Sequence, residues 1–405
     1  MVQPKLRFSE FDDEWKLKKL KDYLVFQNGL NADKEKFGSG TKFISVMDIL
    51  NNPFITYDII RGSVEVDSKT LKNYGVKYGD ILFQRSSENR EDAGKSNVYL
   101  DKENTATFGG FVIRGKKNGE YDPAFLNVLL KSDSVRKEIT SKAQGAQHIN
   151  VGQETLENVK IYIPSIPEQE KIGLLFSEID AKIIQTEKLI SELQKRKKGI
   201  MQKIFDQEIR FKDDNGNAFP AWKEYNFSYY LSSRNQKQIP TTDAPLMAFT
   251  ATGGVCEKGE RYDRSFLVKD KNKQYKRTEF NDFIYSSNNL DVGSIGLNKY
   301  GTAVISDVYE IFAINDNGNP DFISEFIKNP KILNKVLRYR QGALYGQYRI
   351  YAEHFIGIKE CFPCLEEQKK IARFFLLIDK KIESEKKFLE DWKQLKKALI
   401  QQMFV

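Results

Sequence analysis

The 405-residue chain is long enough for two or three domains, and 40% hydrophobic with 30% charged residues is the composition of a water-soluble protein with long helices. It has no apolar run long enough to span a membrane and no apolar signal core in the opening MVQPKLRFSEFDDEW. Its three cysteines (Cys256, Cys361, Cys364) cannot form a disulfide framework, so membrane insertion and export are not expected and a cytoplasmic location is. A net charge of +8 hints at an anionic partner, but stretches 167–205 and 366–405 hold +2 and +3 of it, leaving only a local basic patch elsewhere.

In chain order, LRFSEFDDEWK (6–16) precedes short β-rich runs at FISVM (43–47), DILF (80–83), FGGFVIR (108–114) and VKIYI (159–163), with a helical stretch at 123–141. A long helix follows, opening PEQEKIGLLFSEIDAKI (167–183) and extending to Phe205. Pro167 suits its first turn, and a continuous helix from there would be about 58 Å long at 1.5 Å per residue. The series then repeats. IRFKDDNGNAFPAWK (209–223) echoes the opening, PLMAF (245–249), DFIYS (282–286) and VYEIFAI (308–314) read as strands, and 321–340 reads as helical. A second long helix opens EEQKKIARFFLLIDKKI (366–382) and closes the chain.

The two long helices match without a gap at an offset of 199, with 15 identities over the 42 positions from Pro164 to Phe205. Their apolar residues follow a 4-3 alternation: Ile172, Phe176, Ile179, Ile183, Ile190, Leu193, Ile200 and Ile204 in the first. The second carries Ile371, Phe375, Ile378, Ile382, Leu389, Trp392, Leu399 and Met403. The interruptions fall at the same places, Thr186 and Lys197 against Glu385 and Lys396. Such a stripe is the signature of coiled-coil packing, and each helix is the natural partner of the other; the pattern alone leaves parallel and antiparallel pairing open. The expected architecture is two α/β (α+β) domains in tandem at 1–163 and 207–362, alternating with helices at 164–206 and 363–405.

Catalytic chemistry is hard to find. His148 and His354 are the two histidines and do not occupy matching positions. CFPC (361–364) lacks the second ligand pair that zinc needs, and Gly94-Lys95-Ser96 lacks the earlier glycine and the helix of a phosphate-binding loop. NNPF (51–54) lacks the second proline of an adenine-methylating motif, so no cofactor, metal or catalytic residue is expected in this chain.

Polar side chains do recur at matching places. Gln84, Arg85, Ser86, Ser87, Arg90 and Lys95 follow one buried strand; Ser286, Ser287, Asn288 and Asn289 follow its counterpart. Gln144, Gln147, His148 and Asn150 are matched by Tyr345, Gln347, Tyr348 and Arg349. Arg and Lys fit guanine edges and phosphates, and Asn and Gln fit adenine edges, so these are the candidate DNA-binding residues. The same residues equally suit an ordinary solvated loop.

Two diverged domains alternating with two PxxxEQxxIxxxFxxID helices resemble the specificity subunit of type I restriction–modification systems over the whole chain. The resemblance implies that each domain is a target-recognition domain reading half of a bipartite double-stranded DNA target, here an asymmetric one. It implies an antiparallel coiled coil that spaces the half-sites and docks two methylation subunits. Those subunits would carry S-adenosylmethionine, and separate restriction (motor-nuclease) subunits would carry ATP and Mg2+; this chain itself would be non-catalytic. A coiled-coil scaffold bearing two protein- or ligand-binding domains is the alternative.

Overall fold

A computed structural model describes residues 3–145, 147–251, 253–257, 272–288, 290, 294–344 and 347–405. Among them ten α-helices run in chain order: α1 (Val46–Leu50), α2 (Ser68–Tyr74), α3 (Pro123–Leu129), α4 (Asp133–Lys142), α5 (Gln153–Glu157) and α6 (Ile166–Phe205). After these come α7 (Pro320–Lys328), α8 (Pro330–Leu337), α9 (Ala352–Ile356) and α10 (Leu365–Met403). The chain divides into two units, the first made of Met1–Ile190 with Ser384–Val405 and the second of Ser191–Glu383.

In unit 1 a four-stranded antiparallel sheet orders its strands Leu24–Asn28, Val112–Lys117, Ile81–Gln84 and Ser96–Val98. Successive side chains of a strand point to opposite faces, and here both faces are covered. Ile81, Phe83 and Ile113 enter one core with α3, α4 and the long helices, while Leu82 and Val112 enter a second with Ile44, Ile49 and Phe108. That two-sided burial is why DILF reads as an unbroken apolar run.

Unit 2 repeats the plan with Leu231–Ser233, Tyr309–Ile314, Phe283–Ser286 and Ile295–Leu297. Phe283, Tyr285 and Phe312 face one core, and Ile284 and Ile311 the other. Each unit also carries an antiparallel ribbon near the foot of its long helix, Lys16–Lys19 with Lys160–Ile163 and Lys223–Asn226 with Lys359–Phe362.

Several local expectations change. The FISVM run ends its strand at Ile44, because Ser45 donates its N–H to Asp48 (2.8 Å) and starts α1. FGGFVIR splits into Thr107–Phe108 and Val112–Lys117 around a Gly110–Phe111 turn. Likewise PLMAF keeps only its end in strand Ala248–Thr250. The stretch 321–340 breaks into α7 and α8 where Pro330 removes an N–H and bars Asn329 from helical geometry; Asn329 instead accepts from Lys331 N–H at 2.9 Å.

Inside each unit the long helices run antiparallel. In unit 1 the Phe176 and Phe404 rings stand 5.9 Å apart, Asp180 meets Lys396 at 2.5 Å, and Glu187 meets Lys393 at 2.8 Å. In unit 2 Phe205 faces Phe375 at 6.3 Å and Lys197 meets Asp379 at 2.8 Å. Ile172, Phe176, Ile179, Ile190, Ile371, Phe375 and Ile382 are buried. Ile183, Leu193, Ile200, Ile378, Leu389, Trp392 and Leu399 are half-buried. Lys197 and Lys396 turn out not to be gaps in the stripe, since each pairs with the aspartate of the other helix.

The repeated Glu-Gln pair has a matching job in both copies. Glu168 is fully buried and accepts from Arg7 Nε (2.7 Å), Arg7 Nη2 (2.8 Å) and Trp15 Nε1 (3.3 Å). Glu367, equally buried, accepts from Arg210 Nε (3.1 Å), Arg210 Nη2 (2.6 Å) and Trp222 Nε1 (3.1 Å). The hydrogen bond to the carboxylate holds each arginine above its ordinary pKa, against burial. Gln169 donates to the Pro164 carbonyl and accepts from Asp122 N–H; Gln368 does the same with Pro363 and Asn319. Asp122 and Asn319 cap α3 and α7, so one dipeptide ties the opening segment, the long helix and a domain helix together.

Candidate nucleic-acid interface

The candidate loops leave the sheet from a shared turn. Gly79 and Asn281 hold the left-handed backbone (φ 89° and 67°) that glycine and asparagine tolerate best. Asp80 and Asp282 follow, and both are buried acceptors: Asp80 takes N–H groups of Lys77 (3.0 Å) and Lys117 (2.9 Å), and Asp282 takes Glu279 N–H (2.7 Å) and pairs with Arg234 (2.7 Å). Burial pushes both carboxyls above their ordinary range, with the hydrogen bonds opposing it. These anchors set where the next strand emerges.

At the strand's end each unit builds the same three-chain crossing. Arg85 N–H donates to the Phe111 carbonyl (2.9 Å), and Val151 N–H donates to the Arg85 carbonyl (2.9 Å). Ser287 N–H donates to the Val308 carbonyl (3.0 Å), and Ile350 N–H donates to the Ser287 carbonyl (2.9 Å). One rung further, Ser86 pairs with Asn150 and Asn288 with Arg349. The two polar clusters that the sequence places 60 residues apart are therefore brought together in each unit, on one backbone frame with different side chains.

The frame also sorts the candidates. Gln84 and Ser87 are buried; Gln84 Nε2 donates to the Ser86 carbonyl at 2.9 Å, and Ser87 Oγ accepts from Asn89 N–H at 3.2 Å. Arg90 donates to the Thr140 (3.1 Å) and Ala143 (2.9 Å) carbonyls at the end of α4, and Lys95 pairs with Asp92 at 2.5 Å. In unit 2 Ser286 and Ser287 spend their hydroxyls on the Asn288 and Val308 carbonyls, both at 2.8 Å. Exposed to solvent are Arg85, Gln144, Gln147, His148 and Asn150, with Ser86 half-buried; Arg90 and Lys95 are exposed too, though held by the contacts just named.

In unit 2 Asn288 is half-buried and Tyr348 is exposed. The Arg349 side chain is partly exposed, donates to Glu310 (3.2 Å) and lies over the Tyr351 ring at 5.0 Å. Gln347 lies in strand Gln347–Arg349, while Asn289 and Tyr345 lie outside the described residues. Glu310, which the sequence did not single out, is buried and also takes Lys276 at 2.8 Å, so it pins Arg349 from beneath. Its signal was a lone acid inside the apolar run VYEIFAI.

Among the described residues no helix is long and apolar enough to cross a membrane. The family described as the type I restriction modification DNA specificity domain matches residues 12–195 and again 213–391. A putative type I restriction enzyme MjaX specificity subunit of Methanocaldococcus jannaschii is 27% identical over 98% of this chain and 94% of its own length. The MjaVIII specificity subunit of the same organism is 23% identical over 96% and 91%. Among solved structures, the type I restriction–modification S subunit from M. genitalium superposes with a TM-score of 0.61 at 14% identity, covering 100% of this chain and 99% of that one. A chain from a type I R-M assembly gives 0.54 at 13% identity, covering 97% and 98%. With two copies of its domain in tandem, the chain belongs to the type I restriction–modification DNA specificity family.

Proposed function

We propose that each unit reads one half of a bipartite, asymmetric DNA target and that this chain does so without catalytic residues of its own. The observation that carries the reading is the shared backbone crossing with unlike side chains: Arg85, Phe111 and Asn150 in one unit stand where Ser287, Val308 and Arg349 stand in the other. One frame with two different sets of polar and apolar side chains suits two half-sites of different sequence. The paired long helices would space the half-sites and dock two methylation subunits. Exposed Leu174 and Leu189 on α6, and Leu377 and Phe388 on α10, supply apolar surface for that docking.

Transfer of the methyl group would belong to those subunits and their S-adenosylmethionine, and ATP with Mg2+ to restriction subunits joined through them. The modest charge outside the helices implies that this chain alone binds DNA weakly, since phosphate contacts dominate affinity. Methylation sequencing of cells expressing the chain with its methylation subunit tests the reading. A split adenine motif that depends on this chain is expected, with Arg85→Ala relaxing one half and Arg349→Ala the other. No such motif would leave the scaffold alternative standing.

A further inference from the structure

Phe111 is the most exposed large apolar side chain among the described residues, at 71%, while Phe108 and Val112 on either side of its turn are buried. The turn that presents it is tightly built. Gly109 N–H donates to the Ile44 carbonyl (3.1 Å) and Val112 N–H to the Gly109 carbonyl (2.8 Å). A Cβ at Gly109 would stand 2.7 Å from the Phe43 ring, and one at Gly110 would stand 2.0 Å from Asn31 Oδ1. The firmer constraint comes from just past the neighbouring strand, where a Cβ at Gly29 would stand 1.9 Å from the Gly109 carbonyl oxygen, so the backbones pass this closely only with glycine at position 29. Arg85 Nη1 reaches within 3.4 Å of the Gly110 carbonyl, so the exposed ring and an exposed guanidinium belong to the same small surface. At the equivalent place in unit 2 stands Val308, also apolar and 42% exposed, its carbonyl held by Ser287 N–H and Oγ.

An apolar group gains nothing from a phosphate, and on a DNA surface its natural contact is the 5-methyl group that thymine alone displays in the major groove. We propose that Phe111 and Val308 are specificity residues, each packing on a thymine methyl in the half-site its unit reads. This rests on the function proposed above.

The test uses the chain assembled with its methylation subunit, acting on duplexes in which each thymine of the target is replaced in turn by uracil, which lacks only that methyl. At one thymine of the half read by unit 1, uracil is expected to slow methylation about four-fold, the worth of about 0.8 kcal/mol for one buried methyl-sized group. Phe111→Ala should lose a similar factor on the thymine duplex and become indifferent to uracil at that position, with unchanged thermal unfolding. Val308→Ala should do the same for one thymine of the other half. A Phe111→Ala variant that keeps full rate, that loses rate equally on thymine and uracil duplexes, or a target with no uracil-sensitive thymine overturns the proposal while the bipartite reading stands. Absence of split-site methylation with the unaltered chain overturns both.

Discussion

The carboxylate of Glu168 has no water-facing edge and three donors from the opening segment, so its removal leaves the buried Trp15 indole N–H without an acceptor and the largely buried Arg7 guanidinium with only the Asp13 carbonyl. Glu168→Ala should lower the stability of unit 1 by about 3–5 kcal/mol, as expected when one partner of a buried pair is deleted. Glu367→Ala should do the same to unit 2. Chemical denaturation followed by tryptophan fluorescence checks this, because Trp15 and Trp222 lie at the two sites. Glu168→Gln, which keeps an acceptor, should cost less. The sequence showed that Glu-Gln recurs but not why, since its partners lie some 150 residues away and no local pattern connects them. Phe111 was hidden for a different reason: FGGFVIR has strand composition, and only the fold shows that Gly110 and Phe111 form a turn closed by Val112 N–H on the Gly109 carbonyl.

On the scale of elements, the long-helix seam was legible because a 4-3 stripe is a property of one helix, whereas its direction depends on a partner. The direction comes from pairs such as Asp180 with Lys396 and Lys197 with Asp379, which only an antiparallel register satisfies. Because Asp180 and Lys396 are largely buried, reversing one charge leaves two like charges together. Asp180→Lys or Lys396→Asp alone should each destabilise unit 1 by about 3 kcal/mol or more, and the double exchange should recover most of the loss. A double-mutant cycle by thermal unfolding measures it; simple additivity would mean the pair does not set the register. Burial opposes the charge on Lys197, yet its bonds to Asp379 and the charge of Glu325 hold its pKa above the ordinary lysine value, so it stays charged at neutral pH.

For the whole molecule, two-fold repetition was the most legible feature of all, and it foretold two similar folds. What each unit would read was not legible, because the shared frame comes from buried residues whereas the proposed reading would fall to a few exposed ones. If the helices space the half-sites, four residues added within 184–198 and four at the matching 383–397 should lengthen the unspecified gap. Methylation sequencing should then show both half-site sequences unchanged; altered letters would mean the helices shape the readers themselves.

Met403 and Phe404 lie in the core of unit 1, where Phe404 packs on Trp15, Phe125 and Phe176. Unit 2 is continuous in the chain, whereas unit 1 needs residues 384–405. During synthesis from the N-terminus, unit 2 therefore has all its parts while unit 1, though begun first, is still missing a wall of its core. The half that leaves the ribosome first must wait for the other to be finished, and an error confined to Met403 and Phe404 would spoil a unit encoded almost entirely before residue 191.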